Sequence, residues 1–187
     1  MHITKALLYI LALIELILLI TILHSNHHFI DWVEYYSVDG VHYLWTIEEA
    51  NGKKLNQDVG KWIRLYRIEE GRRYFLYEND FSKVYPWEIE AGDIDGDGQM
   101  DLYIGTITET KFYEWAKRPF FFSWEDHQLV KKWTGSYIGS HALESITLND
   151  FNQDQIHEIE LTGISKEGEQ IVEWYRWANF SFYKIKK

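Results

Sequence analysis

Ile89-Glu-Ala-Gly-Asp-Ile-Asp-Gly-Asp-Gly-Gln-Met-Asp-Leu102 is the stretch on which the reading of this chain turns. It begins as a short alternating run, crosses Asp93, Asp95, Asp97 and Asp101, and resumes as Leu102-Tyr-Ile-Gly105. Period-two alternation bounded by Asp and Gly predicts strand, loop, strand. Carboxylates crowded this closely repel one another unless a cation stands among them. Hard oxygen donors select Ca²⁺, which takes about six to eight oxygens at roughly 2.3–2.6 Å. The spacing predicts side-chain ligands from Asp93, Asp95 and Asp97, a backbone carbonyl from Gln99, and closure by Asp101. Gly98 supplies the positive φ that the sharp turn requires. A merely solvated turn needs one Asp and one Gly, not four Asp in register.

The stretch has a second copy. Ile146-Thr-Leu-Asn-Asp-Phe-Asn-Gln-Asp-Gln-Ile-His-Glu-Ile159 aligns with it without gaps at an offset of 57 residues, Asp93 onto Asp150. Asp150, Asn152, Asp154 and Glu158 occupy the ligand positions and Ile156 the carbonyl position. Gln155 stands where the first loop has Gly98, and one carboxylate has become an amide, so weaker calcium binding is expected here. An EF-hand shares the opening spacing but closes with Glu at the twelfth position, between helices. The twelfth residue here is Ile104 and the neighbours alternate as strands.

The flanks repeat as well. Arg64–Tyr77 and Phe120–Trp133 each read as an aromatic strand, an acidic turn at Glu69–Gly71 or Glu125–Gln128, and a return strand. One unit is therefore about four strands, the size of a slightly long propeller blade. Units fall at about 61–110 and 118–165, with partial units at both ends. Tyr36–Thr46 reads as a shortened strand–turn–strand without acidic ligands, and Tyr175–Tyr183 echoes Glu114–Phe122. Pairing of the C-terminal strand with the N-terminal ones would complete a third unit and hide edge strands. The expected fold is all-β: a small propeller-like array of about three four-stranded antiparallel blade units.

The two acidic hairpins resemble the calcium-binding loops of FG-GAP/VCBS-type repeats, the β-propeller repeats also seen in integrin α-chains. The likeness covers roughly residues 66–163, without the Phe-Gly or Gly-Ala-Pro signature. It implies a cell-surface binding or scaffolding role, usually non-catalytic, and brings no ligand with it.

Ahead of the β-domain stands Ala6-Leu-Leu-Tyr-Ile-Leu-Ala-Leu-Ile-Glu-Leu-Ile-Leu-Leu-Ile-Thr-Ile-Leu23. As a helix it spans roughly 27 Å, most of a bilayer core of about 30 Å. No small-x-small cleavage site follows, so an uncleaved signal anchor at 6–23 is expected in preference to a cleaved signal peptide. Lys5 precedes the span and no Lys or Arg follows until Lys53, which places residues 1–5 in the cytoplasm. A linker at 24–30 and an extracytoplasmic domain at 31–187 complete the organisation. Glu15 costs about 2.5–3.5 kcal/mol within the span, against gains of about 0.3–0.6 for each Leu or Ile, so insertion survives it. It marks either a helix–helix contact or a protonated, tolerated side chain. His24, His27 and His28 read as a solvated linker.

Composition narrows the function. A net charge of -10 opposes the basic footprint that nucleic acid demands. Aromatics at 17% suit half-buried pleated surfaces. The absence of cysteine rules out thiol chemistry and disulfide bracing. Ser136, Ser140, His141, Glu144 and Ser145 cluster between the repeats, but triads assemble in space and linker polarity accounts for them. His127 and His157 lie on turns. The expectation is a non-enzymatic, membrane-anchored calcium-binding module that binds a protein or glycan ligand or acts as a scaffold. Homo-oligomers are compatible with it. The alternatives are an assembly subunit recruited through the Glu15 helix and, more remotely, a calcium-dependent hydrolase.

Overall fold

Aromatic and β-branched residues in alternation, broken by Gly, Asn and Asp, build strands throughout the computed structural model, which describes residues 29–37, 39–110, 113–135, 137–139 and 142–186. The strands are β1 (Phe29–Tyr36), β2 (His42–Glu48), β3 (Lys53–Lys54), β4 (Gln57–Asp58), β5 (Trp62–Glu69), β6 (Arg72–Asp80) and β7 (Pro86–Gly92). After them come β8 (Asp101–Thr110), β9 (Tyr113–Glu125), β10 (Gln128–Thr134), β11 (Ala142–Asn149), β12 (Glu158–Ile164), β13 (Gln170–Ala178) and β14 (Ser181–Ile185). The described residues form no helix.

Three antiparallel four-stranded sheets result, ordered β1-β2-β5-β6, β7-β8-β9-β10 and β11-β12-β13-β14, with β3-β4 a small hairpin inserted in the first. Each sheet is a meander of consecutive strands, so the fold is all-β with local connections. The hairpins predicted at Glu69–Gly71 and Glu125–Gln128 are present. Glu70 and Gly71, and likewise Asp126 and His127, both take positive φ, as two-residue turns matched to strand twist require. Pro119 sits inside β9 opposite Gly105 of β8, where β10, whose pairing ends at Phe120, does not need its missing N–H.

Alternation sends successive residues to opposite faces and so joins the sheets. Trp45, Ile47, Ile63 and Leu65 of the first sheet pack with Ile89, Leu102, Ile104 and Phe122 of the second. Tyr103 and Phe121, on the other face of the second sheet, pack with Ile146, Leu148, Ile159 and Leu161 of the third. The innermost strand β7 lies against both β1 and β11.

Two expectations change. The terminal strands share no sheet: β1 pairs with β2 and β14 with β13. The N-terminal segment instead owns a complete sheet, because β5 and β6 belong to it rather than opening the next unit. The repeat windows at about 61–110 and 118–165 accordingly straddle sheets, each holding the outer hairpin of one and the inner pair of the next. The proposed span 6–23, the linker histidines and Glu15 lie outside the described residues. No helix among the described residues is long and apolar enough to cross a membrane.

Candidate metal centre

The acidic loops sit at the same place in two sheets, between β7 and β8 and between β11 and β12. Their hydrogen bonds repeat at the sequence offset. Gly98 N–H donates to Asp93 (2.8 Å) and Gln155 N–H to Asp150 (2.8 Å). Ile94 N–H donates to Asp101 (3.1 Å) and Phe151 N–H to Glu158 (3.0 Å). Gln99 N–H donates to Asp97 (2.8 Å) and Ile156 N–H to Asp154 (3.0 Å). Positive φ recurs too: Gly96 and Gly98 at +79° each, Gln153 and Gln155 at +62° and +71°. One backbone design thus serves both loops, with glycine in the first and glutamine in the second.

In the first loop, Asp93, Asp95 and Asp101 bring one carboxylate oxygen each within 4.8 Å of one another. Asp97 lies outside this group and Gln99 is exposed beside it. Asp101 is buried, and burial pushes its carboxyl up to about 6 against the pull of Lys132. The Lys132 ammonium lies among the acids, 2.6 Å from Asp95 and 2.7 Å from Asp101, while Ser123 donates to Asp101 at 2.9 Å. Burial pulls the Lys132 pKa down, yet its bonds to Asp101 and Asp95 outweigh that and hold it above the usual lysine value.

The second loop is arranged differently. Asp150, Asp154 and Glu158 do not converge as the first three do. Arg176 spans Asp154 (2.5 Å) and Glu158 (2.5 Å), and the Asn152 amide donates to Glu158 (3.1 Å). The two loops also touch: His157 N–H donates to the Asp93 carbonyl at 2.6 Å. A Cβ on Gly96 would fall 2.8 Å from Ile156, and one on Gly92 2.7 Å from the His157 ring.

Lys132 and Arg176 were missed by the sequence reading. Lys132 turns inward because a bulge separates Lys131, opposite Phe122, from Trp133, opposite Phe121. Nothing in Val130-Lys-Lys-Trp133 announces that bulge. Arg176 follows Tyr175, which opposes Ile159 on β12, so alternation turns it to the face of Glu158. That position is legible once the strand pairing is known.

A cleft of about 560 Å³ opens beside the first loop, lined in part by Asp95, Asp97, Lys132, Trp177, Asn179 and Phe180. Phe180 is 87% exposed and held at a φ of +65°, a costly conformation for a bulky side chain. Of the serine–histidine group, Ser136, Ser140 and His141 lie outside the described residues, while Glu144 is exposed on β11.

No family model matches the chain, nor does any curated protein. Among solved structures it is similar to a fucose lectin from Kordia zhangzhouensis in complex with methyl-fucoside. The TM-score is 0.46 and the identity 12%, over 83% of this chain and 98% of that one.

Proposed function

We propose that this chain is a membrane-anchored, non-catalytic module of FG-GAP/VCBS-like repeats whose three sheets form a propeller-like array stabilised by calcium and used to bind a protein or glycan outside the cytoplasm. The observation that carries the reading is the convergence of Asp93, Asp95 and Asp101 in a loop whose hydrogen bonds recur 57 residues later. The donor set is hard oxygen, and Lys132 supports the reading by placing a positive charge at the same point. Calcium would be held by these carboxylates and would supply charge neutralisation, with the Lys132 side chain yielding its place. The cleft beside the loop offers Trp177 and Phe180 as apolar platforms next to exposed polar groups, a combination suited to a sugar or a peptide.

Calcium acts on folding in this reading. Extracellular modules bind in the range of about 10⁻⁴ to 10⁻³ M, so a tenfold excess stabilises by roughly 1.4 kcal/mol per site. Millimolar calcium is expected to raise the melting temperature of the full chain, and Asp95→Ala to lose that rise. An equal response of wild type and variant would refute the assignment.

A further inference from the structure

One contact between sheets recurs at the period of the sequence. The Asp31 carboxylate on β1 accepts the N–H of Ile89 on β7 at 2.9 Å. Fifty-seven residues on, Glu88 of β7 accepts the N–H of Ile146 on β11 at 3.1 Å. Each sheet therefore presents the same rear face to the front of the next, and the sheets are stacked head to tail.

The series ends abruptly at both sides. Ile89 and Ile146, at the front of the second and third sheets, are 2% and 1% exposed. Trp32, at the matching position of the first sheet, is 53% exposed, and among the described residues no sheet stands in front of it. Tyr36 lies on the same face by alternation, and Phe75 by the register Glu34–Leu44–Tyr66–Phe75. At the rear of the third sheet, Ser145 takes the place of Asp31 and Glu88, and Val172 and Tyr183 stand exposed on that side. The front of the first sheet has a bonded polar centre, where Glu48 accepts from Thr46, Arg64 and Tyr66, and beside it the bare rings of Trp32, Tyr36 and Phe75; exposed apolar side chains gathered on one face in this way are the mark of an interface.

We propose that a second copy of this chain covers both ends: the front of the first sheet packs on the rear of the partner's third sheet, and two chains close a ring of six sheets. Continuity of position supports this: the new contact would set Ser145 against Trp32, the places held within the chain by Asp31 against Ile89 and Glu88 against Ile146, with a hydroxyl where those two have a carboxylate. Head-to-tail interfaces close into rings where the rotation allows. Propellers usually hold four to eight blades, so three sheets fall short and six do not. The proposal rests on the propeller-like reading above.

The test is the mass of the full-length chain in detergent, by sedimentation, with and without Trp32→Glu. A dimer is expected for wild type, and a monomer with an unaltered circular dichroism spectrum for the variant. Because the chain has no cysteine, oxidation can be read without background. Trp32→Cys combined with Ser145→Cys is expected to form covalent dimers, and Trp32→Cys alone to form none. Should Trp32→Glu fail to fold, the cysteine pair decides. A monomeric wild type, a dimer that survives Trp32→Glu, or cross-linking by Trp32→Cys alone would overturn the ring. A monomer whose melting still responds to calcium would do so while leaving the module reading intact.

Discussion

At the scale of single residues, the protein settles its buried carboxylates in two ways. Asp101 and Glu158 are each met by a basic side chain, Lys132 and Arg176. Breaking such a buried pair by removing one partner costs about 3–5 kcal/mol, which makes Lys132 the natural competitor of any ion at the first loop. Glu88 is settled without a cation. It accepts from the Tyr103 hydroxyl at 2.8 Å and from Ile146 N–H, and burial pushes its carboxyl up to about 8, with Asp31 and Glu90 adding repulsion. Burial likewise brings Glu90 up to about 7. The sign follows directly. A carboxyl whose folded pKa exceeds its unfolded value near 4.5 lends stability at low pH and loses it as pH climbs through about 8. At about 1.4 kcal/mol per pK unit, the decline is on the order of a few kcal/mol. Urea unfolding between pH 5 and 8 is expected to show falling stability, and Glu88→Gln to remove the larger part of that slope. An unaltered slope in the variant would show that the proton resides elsewhere.

At the scale of elements, the two acidic loops compare a glycine-built and a glutamine-built version of one turn. Gln155 is held at φ +71°, where a residue with a Cβ pays roughly 1–2 kcal/mol and glycine does not. Gln155→Gly is therefore expected to stabilise the protein by about 1 kcal/mol in denaturant titration with chelator present. A loss of stability would contradict the shared design of the loops. These elements also mark how far the sequence is readable. Both acidic loops and both outer hairpins were legible, because Asp, Gly and aromatic alternation carry their own local physics. The first sheet was only half legible. Its β1–β2 connection is the tight turn Ser37–Val41, where Gly40 N–H donates to the Ser37 carbonyl at 2.8 Å. With the acidic loop gone, the repeat kept only its spacing and alternation, so β1 and β2 read as a fragment. Lys132 was illegible for a different reason: a bulge re-aims it, and a bulge depends on the partner strand.

At the scale of the whole molecule, a single head-to-tail contact between sheets organises everything else. It brings β7 to the centre, stitches Asp31 to Ile89 and Glu88 to Ile146, and sets the two acidic loops against each other through His157 and Asp93. An ion bound as proposed in the first loop would therefore steady the face on which the second loop rests, and the cleft with Phe180 borders both the first loop and the turn of the third sheet. The central claim is that the first loop is a cation site, in which an ammonium group and a calcium ion exclude each other. Calorimetric titration of calcium into the wild type and into Lys132→Met tests this most directly. Binding to both is expected, with an affinity about tenfold or more higher in the variant, since the competing charge is gone. Binding to neither, or no gain on removing Lys132, would contradict it.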